Sequence, residues 1–300
     1  MRRGFALITV LWVIVMASAI AAAGAVAGTD AGAAKRNRIN ATRAHWQANA
    51  CVDRARFAID RALAETAADA RDSAWRAIDA ALAAMLRGTA MNCSMRIIAA
   101  GTQLNVNTAS EADLLRALTS AGAASPLALT HALLDWIDSD DNPRELGAER
   151  TWYTSAQRRQ PRNAPLTSVS ELRFIRGFET DAFDTILGVD SARISLATAP
   201  APVLASLPGF TDEAVARVLE WRIIGRQVDD LVRFASTLSA SAASTLVASF
   251  PELARSAALE PEWWTVSATA AAGTPAVSST VEIRLVRAQS RTASLGRRVW

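Results

Sequence analysis

Histidine, tyrosine and cysteine are scarce in this chain of 300 residues, which holds two, one and two of them. So few histidines and tyrosines leave little for general acid–base catalysis near neutral pH. Two cysteines, Cys51 and Cys93, exclude a dense disulfide framework. An excess of one charge sign is lacking too. The 32 basic residues face 29 acidic ones, a formal net charge of +3. A general nucleic-acid binder needs a concentrated basic face, which this balance argues against. What the chain does have is apolar material. Hydrophobic residues make up 51% of it, and much of that is alanine, which favours helix. The length suggests about two domains.

The apolar material is concentrated at the start, MRRGFALITVLWVIV. No charged residue occurs from Phe5 to Thr29. At about 1.5 Å per residue, a helix of that length spans a hydrocarbon core of about 30 Å. Arg2 and Arg3 precede it and put the N-terminus in the cytoplasm by the positive-inside rule. Three readings are open: a secretory signal cut after the small residues AIAAAGAVAG, a plain anchor, or a retained stalk. RRG followed by FALITVLWVIV resembles a prepilin-type leader, cleaved between Gly4 and Phe5 so that the apolar helix survives. Most pilin-like chains carry glutamate at the fifth mature position, where this chain has Thr9.

Residues 30 to 66 are polar, rich in alanine and free of proline. Val52, Ala55, Ile59 and Leu63 recur at helical spacing, which predicts one long helix whose second half packs on a soluble domain. Trp75, Ile78, Leu82 and Met85 mark a second helix, ending near Gly88. CSMRIIAAGTQLNVN reads as two short strands in a hairpin about Ala100 and Gly101. Strands are also expected over 263–270 and 280–288, with a short last one over 297–300 and a helix within 236–249. Strands at both flanks of a helical block predict an insertion from about 105 to 257.

The inserted block repeats itself. LNVNTASEADLLRAL resembles ISLATAPAPVLASLPGF, and PLTSVSELRFIRGF is a looser third copy. In each, a serine or threonine precedes the helix as an expected N-cap, and Gly177 and Gly209 end two of the helices. LPGFTDEAVARVLEWR resembles a helix-hairpin-helix unit with Ala214, Val218 and Trp221 on one side. Its second hairpin glycine is replaced by Thr211, and Asp212 and Glu213 put negative charge where a phosphate would approach.

The densest chemistry lies in LLDWIDSDDNPRELGAERTWY, where Asp135, Asp138, Asp140, Asp141, Asn142, Glu145 and Glu149 fall within fifteen residues. Oxygen donors on a short loop suit Ca²⁺, although EF-hand spacing is absent, as are the histidine and cysteine ligands of zinc. A solvated acidic loop, with Arg144 and Arg150 pairing some carboxylates, is the plainer alternative. A catalytic carboxylate pair is a third, with no nucleophile–base arrangement beside it.

DWIDSDDNPRELGAE closely resembles the DWID-x-DD-x-PR…GAE signature of the general secretion pathway protein K family, the minor pseudopilins K of type II secretion. The order of features agrees: a leader without the glutamate, a long helix, LNVNTAS, DWID, the serine-rich repeat, a second NTA-like motif and closing strands. The resemblance implies an α+β fold, in which a pilin-like long N-terminal helix packs on a small antiparallel sheet. A large all-α domain of helix-hairpin-helix or SAM-like type is inserted in it. The divisions are a leader over 1–4, a transmembrane helix over 5–29, a pseudopilin domain over 30–104 and 258–300, and the insertion over 105–257. It implies a non-enzymatic assembly protein in the inner membrane, single-pass, with its N-terminus cytoplasmic and its bulk periplasmic. It would form or cap the pseudopilus tip with minor pseudopilins I and J. Prepilin peptidase would cut before Phe5 and methylate its amine. Secreted cargo and the outer-membrane secretin are further candidate partners. The absent glutamate fits a tip subunit, since a carboxylate in the membrane needs a partner and a tip has no neighbour above it.

The family binds calcium, and Asp138, Asp140, Asp141, Asn142 and Glu149 carry over as ligands. Cys51 and Cys93 are either bridged in the periplasm or two separate buried thiols. A DNA-binding or DNA-uptake pilin using the helix-hairpin-helix units is the competing function.

Overall fold

The computed structural model describes residues 3–79, 82–83, 92–179 and 183–299, without the side chains of 3–8 and 26–30. One helix, α1, runs unbroken over Arg3–Glu65, about 95 Å at 1.5 Å per residue. It divides by environment. Val10 to Met16 and Ile20 are more than half exposed, with no protein packed on any side. From Ala44 onward a stripe of Ala44, Ala48, Val52, Ala55, Ile59 and Leu63 is fully buried. Among the described residues no helix is long and apolar enough to cross a membrane; of the expected span, side chains 9–25 are described. Gly4 and Phe5 lie in the helix, where the backbone alone is described.

The stripe meets a four-stranded antiparallel sheet of order β1-β6-β7-β8, formed by β1 (Ser94–Ala99), β6 (Trp264–Ala272), β7 (Val277–Ala288) and β8 (Arg291–Val299). Burial alternates along β6, as a strand with one covered face requires. Its inward residues Val266, Ala268 and Ala270 join Val281, Ile283 and Leu285 of β7 against α1. Small side chains on both surfaces let helix and sheet approach closely. Helix α2 (Arg71–Arg76) plugs one end: the Trp75 indole donates to the Pro261 carbonyl at 2.7 Å, and the Trp264 indole donates to the Trp75 carbonyl at 2.9 Å. Ile78 and Leu82 join this core as their spacing predicts, while Met85 and Gly88 lie outside the described residues. A disulfide joins Cys51 of α1 to Cys93, just before β1. The closing strand is longer than the four residues expected, because β8 is tied to α1: the Thr292 N–H and hydroxyl both donate to Asp60 Oδ1.

A second core is built from residues 104–257. Its elements are β2 (Leu104–Asn105), α3 (Glu111–Ser120), α4 (Pro126–Ile137), α5 (Arg150–Ser155), a 3₁₀ turn over Val169–Phe174, β3 (Leu187–Gly188), β4 (Ile194–Ser195), α6 (Ala201–Ala205), α7 (Asp212–Ile223), α8 (Leu231–Ala235), α9 (Ala240–Ala248), α10 (Phe250–Ser256) and β5 (Ala257–Ala258). Helices dominate it, yet two short parallel ladders, β2 with β3 and β4 with β5, lie within it.

Two local expectations are corrected. β1 and β2 do not form a hairpin: β1 pairs with β6, and β2 with β3. Gly101, at φ +74°, turns the chain away between them, and a Cβ there would sit 2.1 Å from the Arg193 carbonyl oxygen. Nor does a serine or threonine cap every repeat. Ser110 caps α3 in a capping box with Asp113, and Ser168 caps the 3₁₀ turn. Pro200 occupies the N-cap of α6 without a side-chain bond, its ring pre-setting the backbone instead. Gly177 and Gly209 follow their helices at positive φ.

Candidate functional site

Helix α4 delivers the acidic segment. Its apolar face buries Leu129, Ala132, Leu133 and Trp136, which carries Asp135 into the interior at 0% exposure. Asp138 is the C-cap. The chain then loops back so that the Arg144 guanidinium bridges Asp135 Oδ1 at 2.7 Å and Asp138 Oδ2 at 2.6 Å. The Arg144 backbone N–H also faces both Asp135 oxygens, at 3.2 and 3.3 Å. Gly147 passes so close that a Cβ there would fall 1.8 Å from Asp135 Oδ2, so the carboxylate occupies the place of a side chain. His131 Nδ1 accepts the Leu146 N–H at 3.3 Å and holds the loop from the other side.

Glu149, the N-cap of α5, completes the cluster. Ligand atoms of Asp135, Asp138 and Glu149 lie within 4.8 Å of one another. Both Glu149 oxygens and Asp138 Oδ1 are buried without a hydrogen-bond partner. Burial, and then the charges of Asp135, Asp138 and Asp141, push the Glu149 carboxyl up to about 7; the Arg150 N–H opposes this without satisfying either oxygen.

With all three carboxylates ionised, they and the one guanidinium leave a net charge of −2, which a divalent cation would balance. Donor atoms no more than 4.8 Å apart suit an ion held at about 2.4 Å by each. Oxygen donors alone select a hard cation over zinc. The residues therefore fit Ca²⁺, with backbone carbonyls and water to complete the shell.

Of the ligands expected from sequence, Asp138 and Glu149 fall in this cluster. Asp140, Asp141 and Asn142 lie on the exposed loop. Asp140 Oδ1 accepts the Asn142 N–H, and Asp141 pairs with Arg150 and accepts from Asn163. Asp135, not among the ligands expected from sequence, stands with Asp138 and Glu149. Its spacing from Asp138, three residues along the end of one helix, is the signal that places both on the same face.

The helix-hairpin-helix unit is closed upon the protein itself. Thr211 caps α7, and Glu213 accepts from the Ser239 backbone and hydroxyl. Arg222 turns inward to the Leu196 and Ala199 carbonyls, and burial lowers its guanidinium to about 10.

The model of the family described as Type II secretion system (T2SS), protein K matches residues 95–189, a stretch that runs from β1 through the acidic cluster to β3. No curated protein matches the chain in sequence. Among solved structures, a chain from the crystal structure of the GspK-GspI-GspJ complex of the enterotoxigenic Escherichia coli type 2 secretion system is similar. It has a TM-score of 0.55 at 12% identity, over 89% of this chain and 99% of that one, a likeness of fold. The matched segment covers about a third of the chain and has the cluster of Asp135, Asp138 and Glu149 near its centre.

Proposed function

We infer that this protein is a minor pseudopilin of a type II secretion system that works by assembly, without turnover. One observation carries the reading: a single helix continues from an apolar stretch, exposed throughout residues 9–25, into the core of an antiparallel sheet, and a second helical body is joined to that sheet. The exposed apolar side chains of residues 10–20 suit a membrane stalk retained after cleavage between Gly4 and Phe5. The rest of the chain then lies in the periplasm. The second body is a helical insertion in a pilin-like domain, too bulky for a filament shaft and suited to a tip. The solved relative was crystallised as a three-protein complex, which supports partners of the minor pseudopilin I and J type. A DNA-uptake role is not favoured, since the α7 hairpin spends its polar groups within the protein.

Ca²⁺, where bound, supplies positive charge to Asp135, Asp138 and Glu149. These residues join the end of α4 to the start of α5, so the ion acts as a structural clamp.

The full chain co-expressed with prepilin peptidase and the two partner pseudopilins should lose Met1 to Gly4 by intact mass and co-purify with both partners from membranes. Cleavage near Ala27, or purification of the chain alone, would overturn the reading.

A further inference from the structure

The near-balance of charge over the chain hides a local surplus. Between Arg158 and Glu179 there are five arginines and two glutamates, an excess of three, which equals that of the whole chain. The fold gathers four of these arginines on one surface. The Arg159 and Arg173 guanidinium groups lie 4.9 and 5.0 Å from the centre of the Phe174 ring. Those of Arg158 and Arg176 lie 5.9 and 5.0 Å from the Trp152 ring.

The backbone is turned to bring them there. At the end of α5, Gln157 adopts φ +52°, a left-handed conformation that usually falls to glycine. The Arg158 N–H then bonds back to the Tyr153 carbonyl at 2.9 Å, reversing the chain so that Arg158 folds over Trp152 of the helix it follows while Arg159 reaches Phe174. From the other side, the Arg176 N–H donates to the Tyr153 hydroxyl at 2.9 Å, and its guanidinium donates to the Gly147 carbonyl.

Arg158 is paired with Glu179. Arg159, Arg173 and Arg176 pair with no carboxylate among the described residues, although acids are plentiful in this chain. Stacking on a ring holds a guanidinium by its face and leaves the N–H edge free, the edge that meets a carboxylate in a two-pronged bond.

We propose that the guanidinium groups gathered over Trp152 and Phe174 form a docking site for an acidic peptide segment of a protein partner. Nucleic acid fits less well, because each ring is half-buried and already has two guanidinium groups within 6 Å of its centre, where a base would have to stack. A bilayer fits less well too, because the patch presents guanidinium groups and both of its aromatic rings are only partly exposed. The site is independent of the pseudopilin assignment, which stands whether or not the peptide binds.

The test uses the full chain in neutral detergent and a fluorescein-labelled octaglutamate peptide, followed by fluorescence anisotropy at about 20 and about 200 mM salt. Binding should occur at low salt and weaken as salt rises. The double substitution R159Q/R173Q, at two exposed residues, should weaken it roughly ten-fold. R54Q/R291Q removes the same charge from exposed residues elsewhere and should change it less than about two-fold. Neither anionic phospholipid vesicles nor a single-stranded oligonucleotide of matched charge should displace the peptide. Equal loss in the two double variants, displacement by vesicles or oligonucleotide, or no binding at low salt would overturn the proposal.

Discussion

Replacing Glu149 by glutamine should make the calcium-free protein more stable. Both Glu149 oxygens are buried without partners and face Asp135 and Asp138. The carboxyl is raised from 4.5 to about 7 in the folded protein. A raised carboxyl binds its proton more tightly folded than unfolded, so it costs nothing below pH 4.5. The cost accumulates as pH rises through the window from 4.5 to about 7, and is then constant. Over that interval it reaches at most about 3 kcal/mol. Glutamine keeps the shape and removes the charge, although its own amide still lacks partners, so the gain falls below that ceiling. Thermal melting with chelator, followed by tryptophan fluorescence, reads it directly, since Trp136 and Trp152 stack edge-on against Tyr153 beside the cluster. At pH 8 the variant should melt roughly 5–10 °C above the parent, and at pH 4.5 the two should nearly coincide. Saturating Ca²⁺ should close the gap, stabilising the parent by about 3 kcal/mol at a hundred-fold excess over Kd and leaving the variant unmoved. A variant less stable than the parent at pH 8 in chelator, or one that Ca²⁺ stabilises equally, would refute the reasoning.

Other perturbations probe the same framework. Gly147→Ala drives a methyl into the Asp135 carboxylate and should cost about 2 kcal/mol while abolishing the calcium-dependent rise in melting temperature. Cys51→Ser with Cys93→Ser opens a loop of 42 residues and should lower stability by about 4 kcal/mol in the chain-entropy model; alkylation of both thiols in native, unreduced parent protein would contradict the bridge. Arg222→Met leaves the Leu196 and Ala199 carbonyls without their buried donor and should cost about 2–4 kcal/mol in denaturant melts, with no change in the calcium response.

Much of this was legible in residue patterns, because the decisive contacts are local. Val52, Ala55, Ile59 and Leu63 announce the buried stripe of α1 by spacing alone, and Ala214, Val218 and Trp221 do the same for α7. The illegible parts depend on residues far apart in the chain. β1 and β2 resemble two arms of a hairpin, yet each takes a partner that no short-range pattern could name. In the acidic segment, residue type marks the fifteen residues but does not say which of their carboxylates the fold brings together. Burial separates Asp135, Asp138 and Glu149 from the solvated Asp140, Asp141 and Asn142, and burial is set by how α4 packs. The arginine surplus escaped notice for a similar reason: averaged over 300 residues it vanishes, and only folding brings Arg159 and Arg173 to one ring.

The point where the second body joins the first has a bearing on how such a protein could arise. Ala99 and Trp264 face each other as a paired position of β1 and β6, and the next N–H outward, that of Ala100, bonds to the Trp263 carbonyl at 2.9 Å. The chain therefore leaves the sheet and returns to it at adjacent positions, and everything from 100 to 263 hangs from the tip of what is otherwise a two-stranded ribbon. A plain turn could close that ribbon without moving a strand. The helical body is in this sense a very long loop, one that ancestral recombination could add, exchange or remove as a cassette while the stalk and sheet beneath kept their register.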